Sequence, residues 1–277
     1  MSDFFDTVDS MGIVEDHIQR VLKLEDSSAT KLLRRYKEVR HTLNDRLQRA
    51  REGSFTAQQL GGVLAQVDGA IIAMSESLKT GMGDQAFSAA MLGISDQVSE
   101  LKAFEKEFNG AVVAINLDAQ LIAQDTQNFL INRYESSIDA YSQGLRSSLV
   151  QSLTNEALME SSYSTVVQKL GGFFQGEEWK LHRIARTELH NIYGMGKLNG
   201  MLETQRTVLP DLMKTLIHPM DSRTGADSKY AARLNMIVPL DEPFKYKWKG
   251  KIREFMSPPD RPNDRSIIVP YRQTWGK

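Results

Sequence analysis

The residues best equipped for chemistry lie in one segment, Glu177 to Leu202. It reads Trp179-Lys180-Leu181-His182-Arg183-Ile184-Ala185-Arg186-Thr187-Glu188-Leu189-His190-Asn191-Ile192-Tyr193-Gly194. Leu181, Ile184, Ala185, Ile192 and Met195 recur at helical spacing and form one apolar stripe. Glu188 falls on that stripe, four residues after Ile184 and four before Ile192. A carboxylate that faces a core needs a partner or must be neutralised. Three readings follow: a buried ion pair that orients the helix, a general acid/base with a raised pKa, or a helix phased so that Glu188 meets solvent. His182, Arg186 and His190 lie on one helical line, four residues apart. The two histidines are then about 12 Å apart along the axis, too far for one ion, and an arginine stands between them. That face suits contact with loops or a partner. His218, Asp221 and Arg223 are the other side chains an enzyme would use. No nucleophile elbow, phosphate-binding loop, His-Glu-x-x-His or paired-carboxylate signature accompanies them. The expectation is a protein without catalytic, cofactor or metal residues.

A second candidate is basic. Phe244-Lys245-Tyr246-Lys247-Trp248-Lys249-Gly250-Lys251-Ile252-Arg253 alternates strictly. Read as one strand, it sets Lys245, Lys247, Lys249, Lys251 and Arg253 on one face, and Phe244, Tyr246, Trp248 and Ile252 on the other. The cationic face suits solvent at a sheet edge, the phosphates of DNA, or an acidic protein surface such as that of a neighbouring copy. No base-reading motif is present.

These segments belong to a chain of 277 residues with 34 Lys and Arg against 35 Asp and Glu, a formal charge of −1. Such balance disfavours a globally basic nucleic-acid binder. Hydrophobic and charged residues, 41% and 25%, are ordinary for a globular protein with a real core. With no cysteine, disulfides, thiolate metal sites and cysteine nucleophiles are excluded. No apolar run approaches the length of a membrane span. The acidic start Met1-Ser2-Asp3-Phe4-Phe5-Asp6 lacks the pattern of a secretory signal, so the expected location is the cell or particle where the chain is made.

All eight prolines lie at or beyond Pro210. The proline-free part permits long helices, since interior proline costs a helix about 3 kcal/mol. Met213 to Lys277 carries 13 Lys and Arg and 7 Asp and Glu, so the basic residues gather there. Before it, apolar periodicity predicts helices over Lys31–Arg51 (capped by Ser27 or Ser28), Thr56–Leu78, Asp84–Phe108, Asn116 to beyond Tyr141, and Leu145–Leu158. Gly53-Ser54, Gly81 with Gly83, and Asn109-Gly110 are the predicted breaks. Thr165–Leu170 reads as a short helix ended by Gly171-Gly172, before the helix at Glu177–Leu202. Strands are predicted at Lys214–His218, Met236–Leu240, Phe244–Trp248 and Ser266–Tyr271. The expected fold is mostly α with a C-terminal α+β module. Residues 1–160 form a helical arm or bundle, and residues 161–277 pack the informative helix against a short antiparallel sheet.

Four blocks, in order, carry a resemblance. Arg183-Ile184-Ala185-Arg186-Thr187-Glu188, with Asn191, Tyr193, Gly194 and Gly196, is similar to the signature helix of the phage head morphogenesis family, the Mu F-like minor head proteins. Asp221-Ser222-Arg223-Thr224 resembles that family's Asp-x-Arg-Thr turn, and Val238 to Phe244, including Pro243, its Val-x-Leu-Asp-Glu-Pro-Phe segment. Pro258-Pro259 with Arg261-Pro262-Asn263-Asp264-Arg265 resembles its terminal element. The resemblance covers about Tyr163 to Tyr271. Many relatives carry Cys-x-x-Cys after the turn and Cys-x-Cys at the end, a plausible zinc set. Here the matching positions are Gly225, Ser228, Asp264 and Ser266, with no thiolate among them, and the family's terminal histidine is Arg261. The loops would instead be tied by hydrogen bonds and apolar packing, with Asp221, Arg223 and Asn263 as the candidate ties.

The resemblance implies a virion structural protein of a tailed bacteriophage. It would act in head morphogenesis at the portal vertex and head–tail connection, the neck or collar. Its partners would be portal or connector subunits, with capsid protein as a further candidate, in several copies per virion and with no membrane. It would be found in the host cytoplasm during assembly and in the virion thereafter. The alternative is an internal DNA-associated protein, packaged or ejected with the genome through the basic face.

Overall fold

The computed structural model describes residues 2–48, 55, 57–219, 225–259, 261, 262 and 264–276. Five helices come first: α1 (Ser2–Met11), α2 (Ile13–Gln48), α3 (Ala57–Asn109), α4 (Ala119–Leu158) and α5 (Tyr163–Thr207). Then follow β1 (Met213–Ile217), α6 (Ala226–Ala232), β2 (Ile237–Pro239), β3 (Phe244–Trp248), β4 (Lys251–Phe255), β5 (Ile267–Tyr271) and a 3-10 turn at Gln273–Gly276. The protein is mostly α with a C-terminal α+β module, as its proline distribution predicts.

The helices are longer than the glycine signals suggest. α3 runs through Gly81 and Gly83, α4 joins two predicted segments, and α5 runs through Gly171-Gly172. At Gly81 a Cβ would stand 3.1 Å from the Arg35 guanidinium and 3.2 Å from Leu32 Cδ2. That glycine admits a close neighbour rather than ending a helix. The true starts are capped: Asp118 Oδ1 accepts from Leu121 N–H at 3.0 Å, and Ser162 Oγ from Thr165 N–H at 3.2 Å. The break at Gly53-Ser54 lies outside the described residues.

Two compact units result, and they interleave along the chain instead of dividing at residue 160. One comprises Met1–Asp26, Asp84–Leu130 and Arg186–Lys277; the other comprises Ser27–Gly83 and Ile131–Ala185. The boundary differs because each helix from α2 to α5 contributes a segment to each unit.

In the first unit, β1 is the centre of a three-stranded antiparallel sheet of order β2-β1-β5, and β3 and β4 form a separate hairpin. β5 is buried along its whole length. The core joins both ends of the sequence. Phe4 stacks edge-on against Tyr271 and Phe104, with centroids 4.9 and 6.0 Å apart, and Phe104 meets Trp275 at 5.6 Å. The backbones of α3 and α5 also come into contact here. A Cβ on Gly93 would lie 2.2 Å from Tyr193 O, and one on Gly196 would lie 2.6 Å from Ala90 O.

In the second unit, Tyr36 is fully buried and donates to Phe174 O at 3.1 Å. Arg146 clasps Asp68 with two bonds of 2.6 and 2.8 Å, and Lys79 pairs with Asp139 at 2.8 Å.

Candidate functional site

The polar cluster that ties the C-terminal loops is built from two chain segments and one strand end. Arg261 donates to Asp227 Oδ1 at 2.9 Å and to Ser228 Oγ. Ser228 N–H donates to the same Asp227 oxygen at 3.0 Å, and a Cβ on Gly225 would approach that oxygen to 2.8 Å. Thirty-odd residues downstream, Asp264 N–H donates to Arg261 O at 3.2 Å. Asp264 Oδ1 accepts from Ser266 N–H at 3.2 Å and from Ser266 Oγ–H at 2.5 Å. Ser266 Oγ also meets His218 Nδ1 at the end of β1. Asp264 and Ser266 are thereby joined through Arg261 to Ser228 and to the segment that begins at Gly225.

The electrostatics follow from burial and charge. Burial alone would raise the Asp264 carboxyl, but the Ser266 hydroxyl and the charges of His190 and Arg261 hold it below its ordinary value. Burial pushes His218 down to about 4, so its imidazole is neutral near pH 7. Ser266, His218 and Asp264 are the residue types of a hydrolase triad in the wrong order. The aspartate accepts the serine hydroxyl's hydrogen bond directly, and Ser266 is 1% exposed. The arrangement fastens β1, β5 and the loop between β4 and β5 to each other. Among the described residues, no three His, Cys, Asp or Glu side chains gather as a cation site. The permanent charge of Arg261 fills the position between the two segments.

On α5, the face carrying Arg186 and His190 meets the end of the α2 segment in the first unit. Arg186 Nε donates to Asp26 Oδ1 at 2.9 Å. His190 is buried; Nδ1 lies 2.6 Å from Glu25 Oε1 and Nε2 lies 2.6 Å from Ser266 O. Burial lowers its pKa, but the Glu25 charge and hydrogen bond outweigh that and hold His190 above its ordinary value. Glu188, on the predicted stripe, is buried, which sets aside the solvent-facing alternative; Asn191 is buried too, and Thr187 lines a polar cleft with Gln19, Lys23 and Arg265. Tyr193 donates to Asp96 at 2.9 Å. Arg183 lies over the Trp179 ring at 4.7 Å. Pro243 precedes the buried Phe244, whose ring faces the Lys214 ammonium at 5.3 Å. Lys214 is buried and donates to Leu240 O and Met256 O at 3.0 and 2.9 Å; burial lowers its pKa to about 8. Asp221, Arg223 and Asn263, the predicted loop ties, lie outside the described residues.

The main buried charges are elsewhere on the same helices. Lys197 and Glu100 pair at 2.6 Å with both side chains fully buried, and His17 Nδ1 reaches the same Glu100 oxygen at 2.7 Å. Asp96, also fully buried, takes Arg20 at 2.7 Å. Burial raises Asp96 against the pull of His17 and Lys197. The sequence reading missed this cluster. Its signal was two carboxylates four apart, Asp96 and Glu100, on the small-residue face that carries Gly93.

The basic segment is a hairpin and not one strand. Lys249 and Gly250 have φ of 47° and 80° and form a two-residue turn, so Trp248 pairs with Lys251 and Phe244 with Phe255. The turn reverses the alternation. Lys245 and Lys247 share a face with Ile252 and Glu254, and Lys245 pairs with Glu254 at 3.1 Å. Lys251 and Arg253 join the aromatic face with Phe244, Tyr246 and Trp248. Lys249 sits in the turn. The five-cation face predicted from alternation is therefore divided among two faces and a tip.

No family model, curated protein or solved structure matches the chain.

Proposed function

We propose that this chain is a structural minor head protein of a tailed bacteriophage. In this reading it works in head morphogenesis at the portal vertex and neck, binding portal or connector subunits in several copies. One observation carries the reading. Arg261, at the position of the family's terminal histidine, binds Asp227 and Ser228 and so joins the segment at 225–228 to the turn that carries Asp264 and Ser266, the two segments matched to the paired cysteines of relatives.

The remaining features fit a binding role. The polar groups at the cluster hold loops in place and leave no exposed nucleophile. The long amphipathic helices offer faces for partner helices. The division of the basic residues in the hairpin weakens the DNA-associated alternative, because phosphate binding relies on clustered cations. The test is binding of the purified chain to the portal oligomer of the phage that encodes it, followed by sedimentation with and without genomic DNA. The reading predicts cosedimentation with portal that persists at about 0.3 M salt, where purely phosphate-driven binding is weakened severely. Binding to DNA alone, lost in the same salt, would support the alternative.

A further inference from the structure

Two surface features of the first unit are complementary in charge and in apolar content. A cavity of about 320 Å3 opens beside α1, the start of α2 and the end of β1. Val8, Val14, Ile18 and Leu216 supply its apolar wall. Asp6, Asp9 and Glu15 also line it, and all three are exposed. His218 lines it too, and its buried Nε2 has no hydrogen-bond partner among the described residues. Because Ser266 Oγ–H donates to Asp264, Ser266 accepts from His218 Nδ1–H and Nε2 is left as an acceptor. An occupant that fits all of this carries an apolar side chain between cations and brings a donor.

The β3–β4 hairpin presents that chemistry. Ile252 is 75% exposed, its cross-strand neighbour is the exposed Lys247, and the exposed Lys251 precedes it. We propose that the hairpin of one copy seats in the α1–α2 cavity of a second copy. Ile252 would meet the apolar wall, and the ammonium of Lys247, on the same hairpin face as Ile252, would meet Asp6, Asp9 and Glu15 or reach the His218 acceptor. Donor and receiver are different patches of one chain, so the contact is heterologous and its repetition generates a ring or a filament. The inference does not depend on the portal reading. A single hairpin buries less than a standard interface, so each contact is weak in solution, with Kd of roughly 10 μM to 1 mM.

The absence of cysteine makes the test clean. Ser10→Cys and Glu254→Cys, exposed neighbours of the two patches that leave Ile252 and the three carboxylates in place, put the only two thiols beside the proposed contact in one full-length chain. Mild oxidation is expected to give a ladder of disulfide-linked oligomers. The same Glu254→Cys chain with Gln124→Cys, an exposed site on α4, is the control and should give at most random dimers. Adding Asp6→Lys to the first variant should cut the ladder about tenfold. Far-ultraviolet circular dichroism establishes that each variant is folded. A ladder no stronger than the control from folded protein overturns the proposal. So does a ladder indifferent to Asp6→Lys, and so does a chain that stays monomeric while an added basic–apolar peptide occupies the cavity.

Discussion

The buried His218 imidazole gives the C-terminal cluster a pH dependence. Its folded pKa of about 4 lies below the ordinary 6.5, so the unfolded chain binds the proton more readily between those values. Its contribution to stability is complete above pH 6.5 and is lost as pH falls towards 4, about 3 kcal/mol in all. Urea unfolding at pH 7 and at pH 4.5 should show that loss, and His218→Gln should flatten it. His190 has the opposite sign. Its raised folded pKa means a contribution present below pH 6.5 and lost as pH rises through the folded value. Arg261 tests the cluster from the other side. Arg261→Ala leaves Asp227 and Ser228 without their shared donor and should cost about 2 kcal/mol in urea unfolding. A chelator should leave the unfolding midpoint of the parent protein unchanged; a drop would show that metal, and not Arg261, holds these loops.

At the scale of elements, glycine carried most of the ambiguity. A glycine ends a helix or lets another backbone approach, and only the neighbour decides between them. Gly196 has such a neighbour in Ala90, and Gly171 has nothing within 4 Å of where a Cβ would lie. Gly196→Ala should therefore destabilise by about 2 kcal/mol or more, whereas Gly171→Ala should stabilise by up to about 1 kcal/mol. Thermal unfolding of the two single variants separates them. The helical character of the proline-free part and four strand positions were legible, because proline placement and apolar periodicity are local; α1 and the first half of α2 were not, and Ser27 and Ser28, expected as a cap, lie inside α2. The hairpin was not. Its alternation is the same for one strand of ten residues or for two of five, and Lys249 is an uncommon residue at positive φ. Replacing it by asparagine, Lys249→Asn, should relieve that position and raise stability by about 0.5 kcal/mol in the same measurement. The buried Lys197–Glu100 pair and the His190–Glu25 contact were hidden for a different reason. Their partners are 97 and 165 residues apart in sequence, and topology alone brings them together.

For the whole molecule, the sequence carried one long-range statement, the order of four blocks that resemble a minor head protein. In space, Arg261 of the last block meets Asp227 and Ser228, just past the second. The proposed portal-vertex role makes a claim about place and copy number that no property of the isolated chain can meet. An asymmetric reconstruction of the virion around its tail-bearing vertex tests it most directly. The account predicts several ordered copies of the chain touching portal or neck subunits. Virions that contain the chain by mass spectrometry, with no ordered copy at that vertex, would contradict it and place the chain with the packaged genome.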